Sequence, residues 1–184
     1  QKELDTTLRP CIEEYAESLG ITIDEAYTLL KKNYDGYHFS TRSEDIYAPF
    51  SLLRALDGKN TYHYWFESGT TTALIEHLKH HPEFNPLDFD GAELSLDAFN
   101  APCESAETPI PLLYQSGYLT IKDYNSEDEV YNLHFPNYEV RQGMVKGLTN
   151  YLMSTDTLER DAAVLAMSRA LKKGDLSSAL LQMR

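Results

Sequence analysis

The chain has 184 residues, of which 42% are hydrophobic and 24% charged, a composition typical of one globular domain or two small ones. Its net charge of −13 is uneven: residues 1–135 carry 9 Lys and Arg against 24 Asp and Glu, and residues 136–184 carry 7 against 5. Such an acidic surface repels phosphate, so nucleic-acid binding is disfavoured outside the C-terminal third. No apolar run approaches the roughly 20 residues that span a bilayer, so we expect no membrane contact. Cys11 and Cys103 lack the spacing of a known motif, so we expect neither a disulfide framework nor a zinc site.

Helical patterns occupy the beginning of the chain. Apolar side chains recur at helical spacing over residues 2–18, which predicts one helix ending at Gly20. Its predicted buried stripe consists of Leu4, Leu8, Cys11, Ile12 and Tyr15. A second helix is predicted to start at Thr22, because Thr22-Ile23-Asp24-Glu25 matches a capping box, in which Thr and Glu bond each other's backbone amides.

The second helix leads into the stretch Asn33-Tyr34-Asp35-Gly36-Tyr37-His38-Phe39. Gly36 allows a tight turn, and the three aromatic rings are large apolar groups that we expect to be buried against the aromatic residues 62–66. These rings belong to Tyr34, Tyr37 and Phe39. Asp35 is either a buried catalytic acid or the Asp of an ordinary Asp-Gly turn, and the turn is the favoured interpretation.

The middle of the chain predicts short helices. Pro49 is a favourable first-turn residue, and the helix it starts is predicted to bury Leu52, Leu53 and Leu56. The aromatic run that follows includes Trp65, and another helix is expected from about residue 70 to Pro82. Residues 83–107 are acidic and predicted to be irregular, apart from a helical turn near Leu96.

From residue 108 the pattern is helix, hairpin, helix, which is typical of a winged-helix-like unit. Residues 118–124 and 130–135 alternate as two strands, and Pro136 precedes the long helix. Residues 156–184 predict two helices, of which the second is cut off.

Together these elements predict a mainly α protein with a small β-hairpin. The predicted domains are a helical lid at residues 1–82, the winged-helix-like unit at 83–155, and the truncated start of a helical connector at 156–184. Both chain ends, Gln1 and Arg184, fall inside helical patterns, which predicts a piece of a longer protein. Because no signal peptide is present, the expected location is cytoplasmic.

The common catalytic motifs GxxxxGK[ST], GxGxxG, GxSxG and HExxH are absent from the sequence. The candidate metal ligands are His77, His80 and His81, whose i, i+3 and i+4 spacing puts three imidazoles on one helix face. Histidines in a last helical turn also interact favourably with the helix dipole, and this interpretation is favoured. A metal-dependent hydrolase therefore stays an alternative function.

The winged-helix-like unit carries basic side chains on its long helix and hairpin. Arg141 and Lys146, with Lys122 on the hairpin, are candidate nucleic-acid contacts, which makes a nuclease-associated nucleic-acid-binding module another alternative. The hairpin turn ends in Glu127-Asp128-Glu129, and three acids there repel phosphate. A protein contact is therefore the favoured role.

Three successive motifs carry a family resemblance: Asn33 to Phe39, then Ile46-Tyr47-Ala48-Pro49-Phe50-Ser51-Leu52-Leu53, then Tyr64-Trp65-Phe66-Glu67-Ser68-Gly69-Thr70. With residues 112–121 and 131–141, they resemble the predicted AAA-ATPase-like family. That family is common in Bacteroidetes and often carries a C-terminal PD-(D/E)XK nuclease-like domain. The resemblance covers about residues 1–155, and Ala48 stands where the family more often has Asn.

The resemblance implies that this chain is the middle of such a protein, without the catalytic residues of either module. The implied function is a non-catalytic regulatory or lid segment that couples nucleotide state to a C-terminal effector. Its implied partners are the ATPase and nuclease-like parts of the same longer protein. ATP and Mg are implied for that longer protein, and no cofactor is expected here. The structural motif residues are Tyr34, Asp35, Gly36, Tyr37, Phe39, Pro49 and Trp65.

Overall fold

The structure, a computed structural model, describes residues 2–40, 44–64, 74, 77–78, 86–103, 106–152, 162, 165–166 and 169. The described residues are mainly α-helical with a small antiparallel sheet, which confirms the predicted fold class at that level. Packing divides the chain into two units, Gln1–Val145 and Lys146–Arg184. The three predicted domains stay a prediction. Within the described ranges, no helix has both the length and the apolar character needed to cross a bilayer.

The first predicted helix is two helices, α1 (Lys2–Thr6) and α2 (Arg9–Leu19), so the prediction of one continuous helix is wrong. Pro10 explains the break, because a proline is tolerated in the first turn of a helix but removes a hydrogen bond from the interior. The predicted apolar stripe also needs a correction at Cys11, which is exposed.

Helix α3 (Ile23–Tyr34) begins with the predicted capping box. The Thr22 N–H donates to the Glu25 carboxylate (2.8 Å), and the Glu25 N–H donates to Thr22 Oγ1 (3.3 Å). Helix α4 (Pro49–Gly58) starts at Pro49 as predicted. Leu53, predicted to be buried, is 52% exposed, because the inward face of α4 is formed by Leu52, Ala55 and Leu56.

These helices enclose the first hydrophobic core of the Gln1–Val145 unit. Its members are buried side chains from α1 to α4 and from Tyr64, and each large one is worth roughly 1.5–3 kcal/mol of apolar burial. They are Leu4, Ile12, Tyr15, Ala16, Ala26, Leu30, Tyr34, Leu52, Ala55, Leu56 and Tyr64.

The rest of this unit is built on a three-stranded antiparallel sheet in the order β1-β3-β2. The strands are β1 (Ala92–Leu94), β2 (Thr120–Asn125) and β3 (Val130–His134). The hairpin of β2 and β3 was predicted, but β1 was not, so the prediction of a hairpin alone is wrong. β1 is only three residues long, and its pairing with β3 joins segments about 40 residues apart, which leaves no local signal.

Short helices and one long helix accompany the sheet. They are a 3₁₀ turn (Pro86–Phe89), α5 (Leu96–Phe99), α6 (Ile110–Gln115) and α7 (Tyr138–Leu152). On the hairpin we expected Leu119, Ile121, Tyr131, Leu133 and Phe135 to share one buried face. All of them are buried except Tyr131, which is half-buried. Val140 and Met144 on α7 are buried in the same unit, and Asn137 Oδ1 accepts the Val140 N–H at the start of that helix (3.0 Å).

We expect Thr22→Ala to lower the free energy of unfolding by about 1 kcal/mol, because it removes the side-chain half of the α3 capping box. Urea unfolding followed by circular dichroism measures the change. The matched control is Thr28→Ala in the same helix, where the exposed hydroxyl bonds the Asp24 carbonyl and alanine favours the helix. Equal losses in the two variants would contradict the role of the cap.

Candidate functional site

The segment Tyr34–Phe39 lies where the helical core meets the sheet, and Tyr34 is its anchor in the helical core. The Tyr34 ring is fully buried, and its hydroxyl donates to the Tyr62 carbonyl (3.0 Å). The Ala48 N–H donates to the Tyr34 carbonyl (2.7 Å), which fixes the start of α4 beside the end of α3. Burial is the main cause that raises the pKa of Tyr34, so its hydroxyl stays a proton donor.

Tyr37 and His38 tie the same segment to the residues around the start of β2. The Tyr37 hydroxyl donates to the Gly117 carbonyl (3.1 Å), and the Tyr37 backbone exchanges two hydrogen bonds with Ile46 (3.1 and 2.8 Å). The His38 N–H donates to Thr120 Oγ1 (2.8 Å), and the Thr120 hydroxyl donates back to the His38 carbonyl (2.8 Å). One threonine side chain therefore satisfies both backbone groups of His38.

Gly36 gives the segment its third connection, to the start of α7. Its φ of 118° is unfavourable for any residue with a side chain. A Cβ at Gly36 would also collide with the carbonyl oxygen of Pro136. The turn at Asp35-Gly36 was predicted, and the close backbone approach supplies a steric reason for glycine that the sequence did not reveal.

Glu139, in the first turn of α7, is a fully buried carboxylate that the sequence analysis missed. After burial itself, the negative charge of an ionised Glu139 is the next cause that raises the pKa values of Tyr34 and Tyr37. The beginning of a helix favours a negative charge. An acid in a first helical turn is usually exposed, so the sequence offered no sign of this burial.

A polar pocket of about 410 Å³ adjoins the segment and contains a His–Asp pair. His38 Nδ1 lies 3.0 Å from Asp45 Oδ1, and Lys122 Nζ lies 3.5 Å from Asp45 Oδ2. The hydrogen bond from His38 is the main cause that lowers the pKa of Asp45. His38 Nε2 is buried and has no hydrogen-bond partner within the described residues. Because solvent does not reach that nitrogen, the pair is suited to holding β2 and the Ile46 segment in place rather than to general-base catalysis.

Asp35 also lines this pocket and is 9% exposed. Burial raises the pKa of its carboxyl, and a hydrogen bond from the Gly36 N–H opposes the rise. Within the described part of the chain, Asp35 Oδ1 accepts no hydrogen bond. The carboxylate therefore makes the hydrogen bond expected of an Asp-Gly turn. Because it is poorly solvated, its ionised form is destabilised.

An apolar cleft of about 600 Å³ lies on the other side of His38 and Tyr47. Its walls come from the segment around Tyr37, from the residues that start α4, and from the end of α6 with the turn before β2. Phe39, predicted to be buried, is 69% exposed at this cleft, so that prediction is wrong. Its ring stacks beside that of Tyr37 (6.4 Å between centroids, 13° between planes), which was also predicted to be buried and is half-buried next to Gly117.

The predicted metal ligands are only partly described. His77 is half-buried, whereas His80 and His81, like Trp65 of the structural motif, lie outside the described residues. Among the residues that the structure describes, no group of three or more His, Cys, Asp or Glu side chains is arranged to hold a metal ion.

The predicted nucleic-acid contacts Arg141, Lys146 and Lys122 are exposed. Arg141 Nε lies 3.4 Å from Asp90 Oδ2, and the other oxygen of Asp90 contacts His134 Nδ1 (3.1 Å). Lys146 is exposed and belongs to the second unit. The Arg141 charge is therefore partly neutralised where phosphate would bind.

Comparison with known proteins gives one relative of moderate similarity. The chain is 33% identical over 119 residues to a protein of Azotobacter chroococcum mcd 1 described as an uncharacterized protein in the vnfD 5' region. The match covers 62% of this chain and 22% of that relative, so the chain spans about a fifth of the length of the relative. No protein-family model matches the chain, and no solved structure matches it.

We expect Gly36→Ala to destabilise the protein by about 3 kcal/mol or more, because it combines an unfavourable φ with a collision against the Pro136 backbone. Thermal and urea unfolding measure the loss. Gly20→Ala is the control: its φ is also positive (66°), but no atom lies within 4 Å of the added Cβ, so about 1 kcal/mol is expected. Similar losses in both variants would refute the close approach.

Asp35→Asn and Asp45→Asn are expected to change stability in opposite directions. The raised pKa of Asp35 means that its ionisation opposes folding, and this effect grows as the pH rises through the folded-state pKa. Asp35→Asn should therefore raise the melting temperature at pH 7, with the gain fading towards pH 4. The lowered pKa of Asp45 gives stability above its unfolded-state pKa that is lost as the pH falls.

Asp45→Asn should accordingly lower the melting temperature at pH 7, and this loss should shrink as the pH falls through the range in which Asp45 is protonated. Thermal unfolding of the parent and both variants across this pH range is the measurement. A loss of stability at pH 7 in Asp35→Asn would contradict the buried, poorly solvated carboxylate.

Proposed function

We propose that this chain is a non-catalytic regulatory or lid segment of a larger AAA-ATPase-like protein, in which it couples nucleotide state to a C-terminal effector. The observation that carries the proposal is the structural use of the family-like motif at Tyr34–Phe39. The hydroxyls of Tyr34 and Tyr37 each bond a carbonyl of another part of the fold, and the backbone of His38 bonds Thr120. Such contacts hold neighbouring elements together rather than form an active site, and we call the segment Tyr34–Phe39 with these contacts the joint.

The joint supports coupling because it connects separate elements by direct hydrogen bonds and close packing. Tyr34 belongs to the helical core, Tyr37 and His38 are bonded to the start of β2, and Gly36 meets the start of α7. Packed elements of this kind move as rigid bodies, so a displacement of α3 would be passed to the sheet and to α7. The relative of about five times the matched length agrees with a segment that acts inside a longer protein.

The winged-helix-like unit is proposed to contact protein rather than nucleic acid. The element order β1, α5, α6, β2, β3 and the strand order β1-β3-β2 support such a unit. Helix α6, which would be the recognition helix of such a unit, has the sequence Ile110-Pro111-Leu112-Leu113-Tyr114-Gln115 and carries no basic residue. The exposed acids of the hairpin turn would also repel phosphate.

Two assays test the proposal on the chain itself. With Mg and ATP, we expect no hydrolysis above the buffer rate; turnover that disappears in Asp35→Asn would overturn the non-catalytic assignment. In a gel-shift assay with duplex DNA at low salt, we expect no complex. A shift that weakens steeply with salt and is lost in Arg141→Ala would instead establish the nucleic-acid-binding alternative.

A third assay tests coupling in the longer protein that the proposal requires. Thr120→Val removes both hydrogen bonds to His38, so we expect ATP hydrolysis to be preserved within about twofold while the effector loses most of its response to ATP. Thr28→Val, on the exposed face of α3, is the matched control and should leave both activities unchanged. An unchanged effector response in Thr120→Val would contradict the role of the joint.

A further inference from the structure

The polar pocket beside the joint is lined by more negative than positive groups. Its volume of about 410 Å³ lies within the range of roughly 300–1,000 Å³ that is usual for ligand pockets. The lining contains three carboxyl groups and two ammonium groups, so it carries an excess of one negative charge when His38 is neutral. The carboxyl groups belong to Asp35, Glu44 and Asp45, and the ammonium groups belong to Lys31 and Lys122. The pocket therefore favours a cation over an anion.

Part of this charge is already balanced inside the pocket. Asp45 contacts both His38 Nδ1 (3.0 Å) and Lys122 Nζ (3.5 Å), so these groups satisfy one another. Lys31 and Glu44 are exposed, where water and salt screen their charges. Of the three carboxyl groups that line the pocket, only that of Asp35 is buried. Its interactions therefore decide which ligand the pocket can hold.

The carboxylate of Asp35 lacks a hydrogen-bond donor. Its side chain lines the pocket and is 9% exposed, and its Oδ1 accepts no hydrogen bond within the described part of the chain. A buried carboxylate normally accepts several hydrogen bonds, because its removal from water is otherwise unfavourable. The last torsion of an Asp side chain has a broad energy minimum, so a small rotation presents this oxygen to a ligand in the pocket. A ligand with N–H donors would therefore supply the missing bond.

We propose that the polar pocket lined by Asp35, Glu44 and Tyr47 binds a small organic amine in its protonated form. The ammonium group donates hydrogen bonds to Asp35 and lies towards Glu44, and the alkyl part contacts the Tyr47 ring. An amine suits the pocket better than a metal ion, because no three His, Cys, Asp or Glu side chains of the described residues are arranged to hold one. The proposal does not depend on the ATPase assignment, since it uses only the residues of the pocket.

Three matched probes test the ligand chemistry by NMR titration of the isotope-labelled chain. Protonated n-butylamine supplies a positive charge and N–H donors, n-butanol has a similar shape without the charge, and tetramethylammonium has the charge without a donor. We expect saturable binding of butylamine and at least about tenfold weaker binding of the other two. Equal binding of tetramethylammonium and butylamine would reduce the effect to the net charge of the chain and overturn the proposal. The absence of butylamine binding would overturn it as well.

Two variants locate the ammonium group. Asp35→Asn keeps the shape of the side chain, removes its charge and is expected to stabilise the unbound chain, so lost binding would not reflect unfolding. We expect this variant to bind butylamine at least about tenfold more weakly than the parent does. Glu17→Gln on α2 is the control, because it removes an exposed carboxylate that does not line the pocket. Equal affinity in the parent and Asp35→Asn would overturn the proposal.

Lys31 provides a test in the opposite direction. Lys31→Gln removes an exposed positive charge from the lining of the pocket, so the ammonium group is repelled less. We expect this variant to bind butylamine more tightly than the parent, by about twofold or more at low salt. Weaker binding in Lys31→Gln would indicate that this side chain contacts an anionic ligand, and it would overturn the assignment of a cation.

Discussion

The approach of Gly36 to the Pro136 carbonyl is the contact on which the arrangement of the first unit depends. At this point two backbones meet without room for a single Cβ atom. Next to this contact, the Tyr37 hydroxyl bonds the Gly117 carbonyl, and Thr120 bonds both backbone groups of His38. Steric exclusion therefore limits position 36 to glycine, and these hydrogen bonds hold the segment against the residues around the start of β2.

Two carboxylates near the joint show how small differences in surroundings reverse an electrostatic effect. Asp45 receives hydrogen bonds from His38 and Lys122 and is stabilised as an anion, whereas Asp35 is buried with a single backbone donor and is destabilised as one. Glu139 is a third carboxyl group, fully buried in the same unit. Buried carboxyl groups of this kind are more common where function constrains the sequence than where packing alone does.

Most local signals in the sequence were reliable, although the periodicity over residues 2–18 did not reveal the break before Pro10; signals that depend on distant contacts were not reliable. The Thr22 capping box, the helix starting at Pro49 and the β2–β3 hairpin all depend on neighbours within a few residues, and the structure has each of them. Phe39 was predicted to be buried from ring size alone, but it is exposed, and Tyr37 rather than Phe39 lies next to Gly117. The cleft was not predicted, because its walls come from segments about 70 residues apart. The resemblance to ATPase-like proteins stays a prediction.

The long sequence separation of the joint's hydrogen bonds has a consequence for the order of folding. Tyr37 bonds a residue 80 positions later, and His38 bonds one 82 positions later. Loops of this length are entropically costly to close, and during synthesis Thr120 leaves the ribosome seconds after the first four helices, at roughly 5–20 residues per second. The helical core can therefore form first, before the hydrogen-bond partners of Tyr37 and His38 have been synthesised. If the chain leaves the ribosome before residue 120 has been synthesised, the side chains of Tyr37 and Phe39 lack their later partners. We expect chaperones to bind the chain at this segment.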